Sequence, residues 1–171
     1  MLKPLNTHIC EEHIFSKIFN TLSNDVYNFL RYKYGDGLDP RDKVQEAFIK
    51  LWDNCKNISP EKAKSFLFTT ANNMMLNEYK HQKVVLKHQQ IKPKDYTNES
   101  PEFILEESEY MQKYERALAK LTEAQRVAFL LNRVEGKKHK EIAEILGISR
   151  KGVEKRIYGA LKKLREEIDG I

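Results

Sequence analysis

An all-α chain built from two small helical domains joined by a flexible linker is what the sequence predicts, and three observations carry that expectation. Only 7 glycines and 5 prolines punctuate the 171 residues, too few for the dense turns of a sandwich or barrel. Apolar residues recur at three- and four-residue steps, with no strand-like alternation. Charge changes sign abruptly: positions 80–98 hold 5 basic and 1 acidic side chain, whereas 99–110 hold 5 acidic and no basic ones. With Pro93, Pro101 and the polar run from Asp95 to Ser100, that shift marks a linker unable to bury a core. The predicted domains are residues 8–83 and 110–171, separated by 84–109.

The first helix is set by Phe15, Ile18, Phe19, Leu22, Val26, Phe29 and Leu30, one apolar stripe stopped by Tyr34-Gly35-Asp36-Gly37. Asp39-Pro40 opens the second, an N-cap followed by proline at the first helical position, and Val44, Ala47, Phe48 and Leu51 turn inward until the helix ends near Asn54. Ser59-Pro60 repeats the signal, and Phe66, Leu67, Thr70, Ala71 and Met74 give a third stripe. Beyond the linker, Tyr114, Ala117, Leu118 and Leu121 share a face, and Thr122-Glu123-Ala124-Gln125 reads as a capping box for a helix through Leu131. Glu135-Gly136 ends it. A short helix from His139 to Leu146 follows, then the turn Gly147-Ile148-Ser149. The last helix starts at Arg150, with Val153, Ile157, Ala160, Leu161, Leu164 and Ile168 inward.

At 40% hydrophobic and 32% charged residues the chain is too apolar for disorder and too polar for a membrane protein. No stretch approaches the roughly 18 consecutive apolar residues of a membrane span, so neither export nor membrane insertion is expected. Cys10 and Cys55 lie far apart with no metal-ligand spacing. Neither a zinc site nor a disulfide framework is expected, and a reducing cytoplasm is the simplest setting. A P-loop, a dinucleotide fingerprint and a His-Glu-x-x-His motif are all missing from the sequence. The five histidines (His8, His13, His81, His88, His139) lack metal spacing, so no catalysis, cofactor, metal or small-molecule substrate is expected.

The net charge of +5 suits a polyanionic partner. The segment from His139 to Leu164 shows where one would bind, because a short helix, a glycine turn and a serine-capped helix form a helix-turn-helix pattern. Between 150 and 165 the second helix carries Arg150, Lys151, Lys155, Arg156, Lys162, Lys163 and Arg165 against Glu154 alone. Basic groups at its start suit base edges, and those further along suit phosphates.

Two further motifs narrow the reading. Asp42-Lys-Val-Gln-Glu-Ala-Phe-Ile-Lys-Leu-Trp52 and Phe66-Leu-Phe-Thr-Thr-Ala-Asn-Asn73 precede Leu121-Thr-Glu-Ala-Gln-Arg126, Glu135-Gly136 and Glu141-Ile-Ala-Glu-Ile-Leu-Gly-Ile-Ser149. In that order they resemble the extracytoplasmic-function (group 4) sigma factors of bacterial RNA polymerase, over about residues 10–83 and 110–168. The resemblance implies a sigma region 2 bundle of three to four helices, a region 4 helix-turn-helix bundle, and an alternative sigma factor that helps melt promoters. It implies core RNA polymerase, promoter DNA and an anti-sigma factor as partners.

By the same resemblance, Asp42, Gln45, Glu46 and Trp52 stand where core polymerase is contacted. A loop from Asn54 to Lys64 would hold an extruded base, and Lys64, Thr69, Asn73, Asn77, Lys80 and Lys83 would meet the separated −10 strand. Arg150, Lys151, Glu154, Lys155, Arg156 and Tyr158 would face the −35 duplex, and Leu130 and Leu131 resemble the part that holds the polymerase flap tip. Read from the residues alone, Trp52, Leu130 and Leu131 are equally core positions, and Phe66, Phe68 and Tyr79 are core or support rather than stacking platforms.

Four positions depart from the family pattern: Lys43 for an aliphatic residue, Asn77 for aspartate, Gly152 for threonine and Glu154 for a basic residue. Gly152 costs its helix roughly 1 kcal/mol relative to alanine, and Glu154 can accept from a cytosine amino group. The residues alone leave open a stand-alone helix-turn-helix regulator that binds operator DNA, and a purely protein-binding adaptor.

Overall fold

The computed structural model of the protein describes residues 8–35, 37–89 and 105–168, with side chains described for all of these but 83–89 and 105–110. The described residues form seven helices: α1 (Glu12–Tyr34), α2 (Pro40–Asp53), α3 (Pro60–Gln89), α4 (Leu105–Ala119), α5 (Glu123–Arg133), α6 (His139–Leu146) and α7 (Arg150–Glu167). The described residues are all-helical, with no strand among them, and the chain divides into two compact units, Met1–Gln82 and Lys83–Ile171. Within the stretch read as a linker, residues 84–89 continue α3 and 105–109 begin α4; 90–104, with Pro93, Pro101 and the Asp95 to Ser100 run, lie outside the described residues.

In the first unit, helix ends follow local chemistry. Asp39 caps α2 by accepting from the Arg41 and Asp42 amides at 3.1 and 3.3 Å, with Pro40 at the first helical position, and Gly35 ends α1 at a φ of 79°, which an L side chain rarely adopts. Val26, Phe29 and Leu30 of α1, Val44, Ala47, Phe48 and Leu51 of α2, and Ala63, Leu67, Phe68, Ala71 and Met75 of α3 are buried. Edge-on aromatic contacts tie the helices: Phe15 to Trp52 at 5.0 Å, Phe19 to Phe48 at 4.9 Å, and Phe29 to Phe68 at 5.3 Å.

Two expectations are corrected here. The buried stripe of α3 is rotated from the predicted one: Phe68 and Met75 are buried whereas Phe66, Thr70 and Met74 are half-buried. At about 100° per residue that is a rotation of roughly 70°. Several apolar residues lie off the true stripe, so periodicity alone does not choose between adjacent faces.

Cys10 and Cys55 form a disulfide across a separation of 45 residues, with Cα atoms 5.1 Å apart, against the expectation of none. A single widely separated pair has no spacing signature. The register of α1 on α2, set by Phe15 against Trp52, brings the residue before the α1 cap beside the turn after α2. Closing a loop of that length restricts the unfolded chain by about 4 kcal/mol on the chain-entropy account.

The second unit packs α7 against α4, α5 and α6. Ala117, Leu121, Phe129, Ala160, Leu164 and Ile168 form a core cluster, flanked by half-buried Tyr114, Leu118, Leu130 and Leu161. The predicted capping box is present: Gln125 N–H donates to Thr122 Oγ1 at 3.3 Å, and the Thr122 amide donates to Gln125 Oε1 at 3.2 Å.

Reduction of the disulfide is expected to lower the unfolding free energy of the first unit by up to about 4 kcal/mol. Denaturant midpoints measured with and without a thiol reductant check this. Coincident midpoints would show that the bond constrains nothing.

Candidate nucleic-acid interfaces

Three exposed helix faces gather the residues that the sequence singles out. On α2 the core residues occupy one side; Asp42 and Glu46 lie about half a turn away, and Gln45 and Trp52 roughly a quarter of a turn from the core stripe. Trp52 is both anchor and surface: its ring packs on Phe15 while 43% of the residue stays exposed. Ile49, 60% exposed on the same face, was missed by the sequence reading; an isoleucine at the spacing of the polar residues was its signal.

Lys43 sits among these groups. Its ammonium donates to Asp42 at 3.2 Å and to Glu46 at 3.5 Å, so the residue that departs from the family pattern covers both carboxylates. The Asp42 hydrogen bond foremost raises the Lys43 pKa above the usual lysine value; burial opposes it, and the Glu46 and Asp42 charges add to the rise.

On α3, Thr69, Asn73, Asn77 and Lys80 form one exposed line opposite the buried stripe, spanning about 16 Å at 1.5 Å per residue. The neighbouring Asn72 is spoken for: its Oδ1 accepts from Lys33 Nζ at 2.8 Å and from the Tyr34 hydroxyl at 2.9 Å. Two adjacent asparagines thus have different structural roles, and Asn72 as an interhelical lock was not visible in the sequence. Lys64 is half-buried near the start of α3; the side chain of Lys83 lies outside the described residues. Phe68 is core as expected, and Tyr79, 48% exposed, lies 6.2 Å from the Tyr34 ring.

The helix-turn-helix forms as the sequence predicts. Gly147 caps α6 at a φ of 63°, and Ser149 Oγ accepts from the Gly152 amide at 3.1 Å to open α7. Lys151, Lys155 and Tyr158 project away from the buried side, with Tyr158 68% exposed. Arg150 is exposed; Arg156 is half-buried on the other flank. Glu154 Oε1 accepts from Arg150 Nε at 3.2 Å and lies 3.5 Å from His139 Nδ1, which engages this oxygen within the protein. Leu131 is fully buried and serves the core, while Leu130 is half-buried against it.

These faces match a known layout. The family model for Sigma-70 region 2 matches residues 18–84, and that for Sigma-70, region 4 matches 111–164. The chain belongs to the sigma-70 family. The two matches cover more than two thirds of its length.

The extracytoplasmic-function RNA polymerase sigma factor SigE of Mycolicibacterium smegmatis is 26% identical over 146 residues, which are 82% of this chain and 56% of the relative. The chain thus spans little more than half the length of that curated relative. The sigma factor RpoE of Bartonella quintana, solved in complex with the anti-sigma factor NepR, shares the fold with a TM-score of 0.61 at 17% identity, covering 89% of this chain and 94% of that one. CnrH, solved in complex with the cytosolic domain of CnrY, shares it with a TM-score of 0.57 at 22% identity, covering 89% and 85% of the two chains.

Two predictions follow the geometry of this sigma-70 region 4. A Cβ at Gly152 would meet Ser149 Oγ at 3.4 Å and Ile148 Cδ1 at 3.5 Å, ordinary contacts, so Gly152→Ala should keep the turn and gain helix propensity. The expected rise in Tm is a few degrees, from roughly 1 kcal/mol; a fall would show that the turn needs the glycine. Lys155→Ala should weaken duplex binding similarly on all sequences and reduce the salt slope of log K by about 1, as read by fluorescence anisotropy over a salt series. An unchanged slope would remove Lys155 from the phosphate contacts.

Proposed function

We propose that the protein is an alternative sigma factor of the extracytoplasmic-function group. It binds core RNA polymerase, directs it to promoters with −10 and −35 elements, and helps melt the upstream edge of the bubble. The observation that carries this reading is the pairing, in one chain, of the α3 amide and hydroxyl line with a basic helix-turn-helix. A duplex operator binder needs the second and has no use for the first.

In this reading residues 8–83 act as the polymerase and −10 module, 84–109 as the connector and 110–171 as the −35 module. The α2 face, with Asp42, Gln45, Glu46 and Trp52, docks on the polymerase, where a half-exposed tryptophan beside Ile49 gives an apolar anchor within a polar rim. Thr69, Asn73 and Asn77 offer donors and acceptors to unpaired base edges, and Lys64, Lys80 and Lys83 neutralise the strand. Arg150, Lys151, Lys155, Arg156 and Tyr158 meet the −35 duplex, with Glu154 acting on Arg150.

The protein itself carries out no catalysis, since the chemistry of RNA synthesis belongs to the polymerase. No helix among the described residues is long and apolar enough to cross a membrane, which accords with a cytoplasmic place of work. The sigma factor RpoE of Bartonella quintana, which shares the fold, was solved in complex with the anti-sigma factor NepR, which supports an anti-sigma factor as the regulator here.

Transcription in vitro with purified core enzyme tests the reading, and specific initiation should depend on the added chain. Asn73→Ala should reduce open-complex formation on the order of tenfold, from the loss of one base-edge contact, and leave closed-complex binding within about twofold. Equal loss at both steps would contradict the role given to Asn73. Footprints on a palindromic site without core enzyme would favour a stand-alone regulator.

A further inference from the structure

We propose that the Cys10–Cys55 disulfide is a thiol–disulfide exchange site that sets how firmly the turn from Asn54 to Ser59 is held, and with it how well the chain captures unpaired promoter bases. The second half of this inference rests on the sigma-factor reading above.

The bond covalently joins two points that the packing of α1 on α2 brings side by side. Cys10 immediately precedes Glu11, the N-cap of α1, and stands next to the fully buried Ile9. Cys55 follows Asn54, the C-cap of α2, and begins the turn that leads to Pro60 at the start of α3. The hydrogen bonds described for that turn are local: the Cys55 amide donates to Trp52 O at 3.0 Å, the Asn57 amide to Asn54 O at 2.9 Å, and Asn54 Nδ2 to Lys50 O at 2.8 Å. All three reach back only a few residues along the chain. Among the bonds described for this turn, the disulfide is the one that reaches a segment 45 residues away.

Around the buried Cys55, the side chains of Asn54, Lys56 and Asn57 are exposed, and they carry the amide and ammonium groups that suit a base edge and a phosphate. Holding such a turn before the ligand arrives removes the entropy cost of ordering it on binding.

The bond is also placed to be broken. Cys10 is half-buried whereas Cys55 is 8% exposed, so an incoming thiolate reaches Cys10 Sγ first. The reductant is a dithiol of the small-molecule or redox-protein class. Its first thiolate attacks Cys10 Sγ, forming a mixed disulfide and releasing the Cys55 thiolate, which takes up a proton. Its second thiolate then displaces the Cys10 thiolate, which is protonated in turn as the reductant closes its own disulfide. Two electrons and two protons pass to the protein, and a low-molecular-weight disulfide reverses both steps. In a compartment rich in such dithiols a disulfide persists poorly unless it serves as a redox response.

The test uses the full chain, oxidised, reduced with dithiothreitol, and as Cys10→Ser, which breaks the bond without altering the turn. Hydrogen exchange of residues 54–59 is read on the free chain. Open-complex yield is read with core polymerase on promoters recovered by the holoenzyme from fragmented genomic DNA. Reduction is expected to speed exchange in 54–59 at least tenfold and to lower open-complex yield about fivefold. Cys10→Ser should match the reduced protein in both redox buffers.

Equal exchange in the two redox states overturns the proposal, as does altered exchange with an unchanged open-complex yield. Redox-dependent exchange in a chain that supports no initiation in either state upholds the exchange site and counts against the sigma-factor reading instead.

Discussion

The rotation of α3 about its own axis is the constraint on which the first unit's surface depends. Burial of Ala63, Leu67, Phe68, Ala71 and Met75 fixes one side of that helix, and Asn72 fixes it again through Lys33 and Tyr34 of α1. A polar lock beside an apolar stripe tolerates little error, because an amide oxygen turned away from both partners would leave their hydrogen bonds unmade. With the rotation set, Thr69, Asn73, Asn77 and Lys80 have no choice but to face outward in a line. The same logic orders α2, where the buried stripe of Val44, Ala47, Phe48 and Leu51 leaves Asp42, Gln45 and Ile49 facing outward and Trp52 at its edge.

The two units treat charge differently. On α2 the carboxylates of Asp42 and Glu46 share the Lys43 ammonium, so a partner that binds them has to compete with an existing, solvent-screened pair worth little by itself. On α7, Lys151 and Lys155 stand exposed on one side while Arg150 is held by Glu154. The first face suits a protein surface with its own donors. The second suits a phosphate backbone, where each neutralised contact adds a salt-dependent increment.

Much of this was legible in the residues, and the misses have physical causes. Helix starts at Asp39-Pro40, Ser59-Pro60, Thr122 and Ser149 came from capping chemistry, which is local and so survives in a linear reading. The inward faces of α2 and α7 were plainer, since Val44, Ala47, Phe48 and Leu51, and Val153, Ile157, Ala160 and Leu164, recur on one side with few apolar residues such as Ile49 and Tyr158 elsewhere. The face of α3 was misjudged because Phe66, Met74 and Leu76 spread apolar groups around the helix, and only packing against Phe29 selects Phe68. Asn72 and Asn73 are identical in type and adjacent, so nothing local separates the lock from the exposed group. The disulfide was missed because it depends on the register of two helices, a property of the folded unit alone.

The most direct test of this account is site-specific photocrosslinking in the open complex formed with core polymerase. A crosslinker placed at position 69 or 77 of α3 should label an unpaired strand of the −10 element, and the same group at Asn24, exposed on α1, should not. Labelling of duplex DNA alone from positions 69 and 77, or equal labelling from Asn24, would contradict the claim that the outward line of α3 reads an unpaired strand.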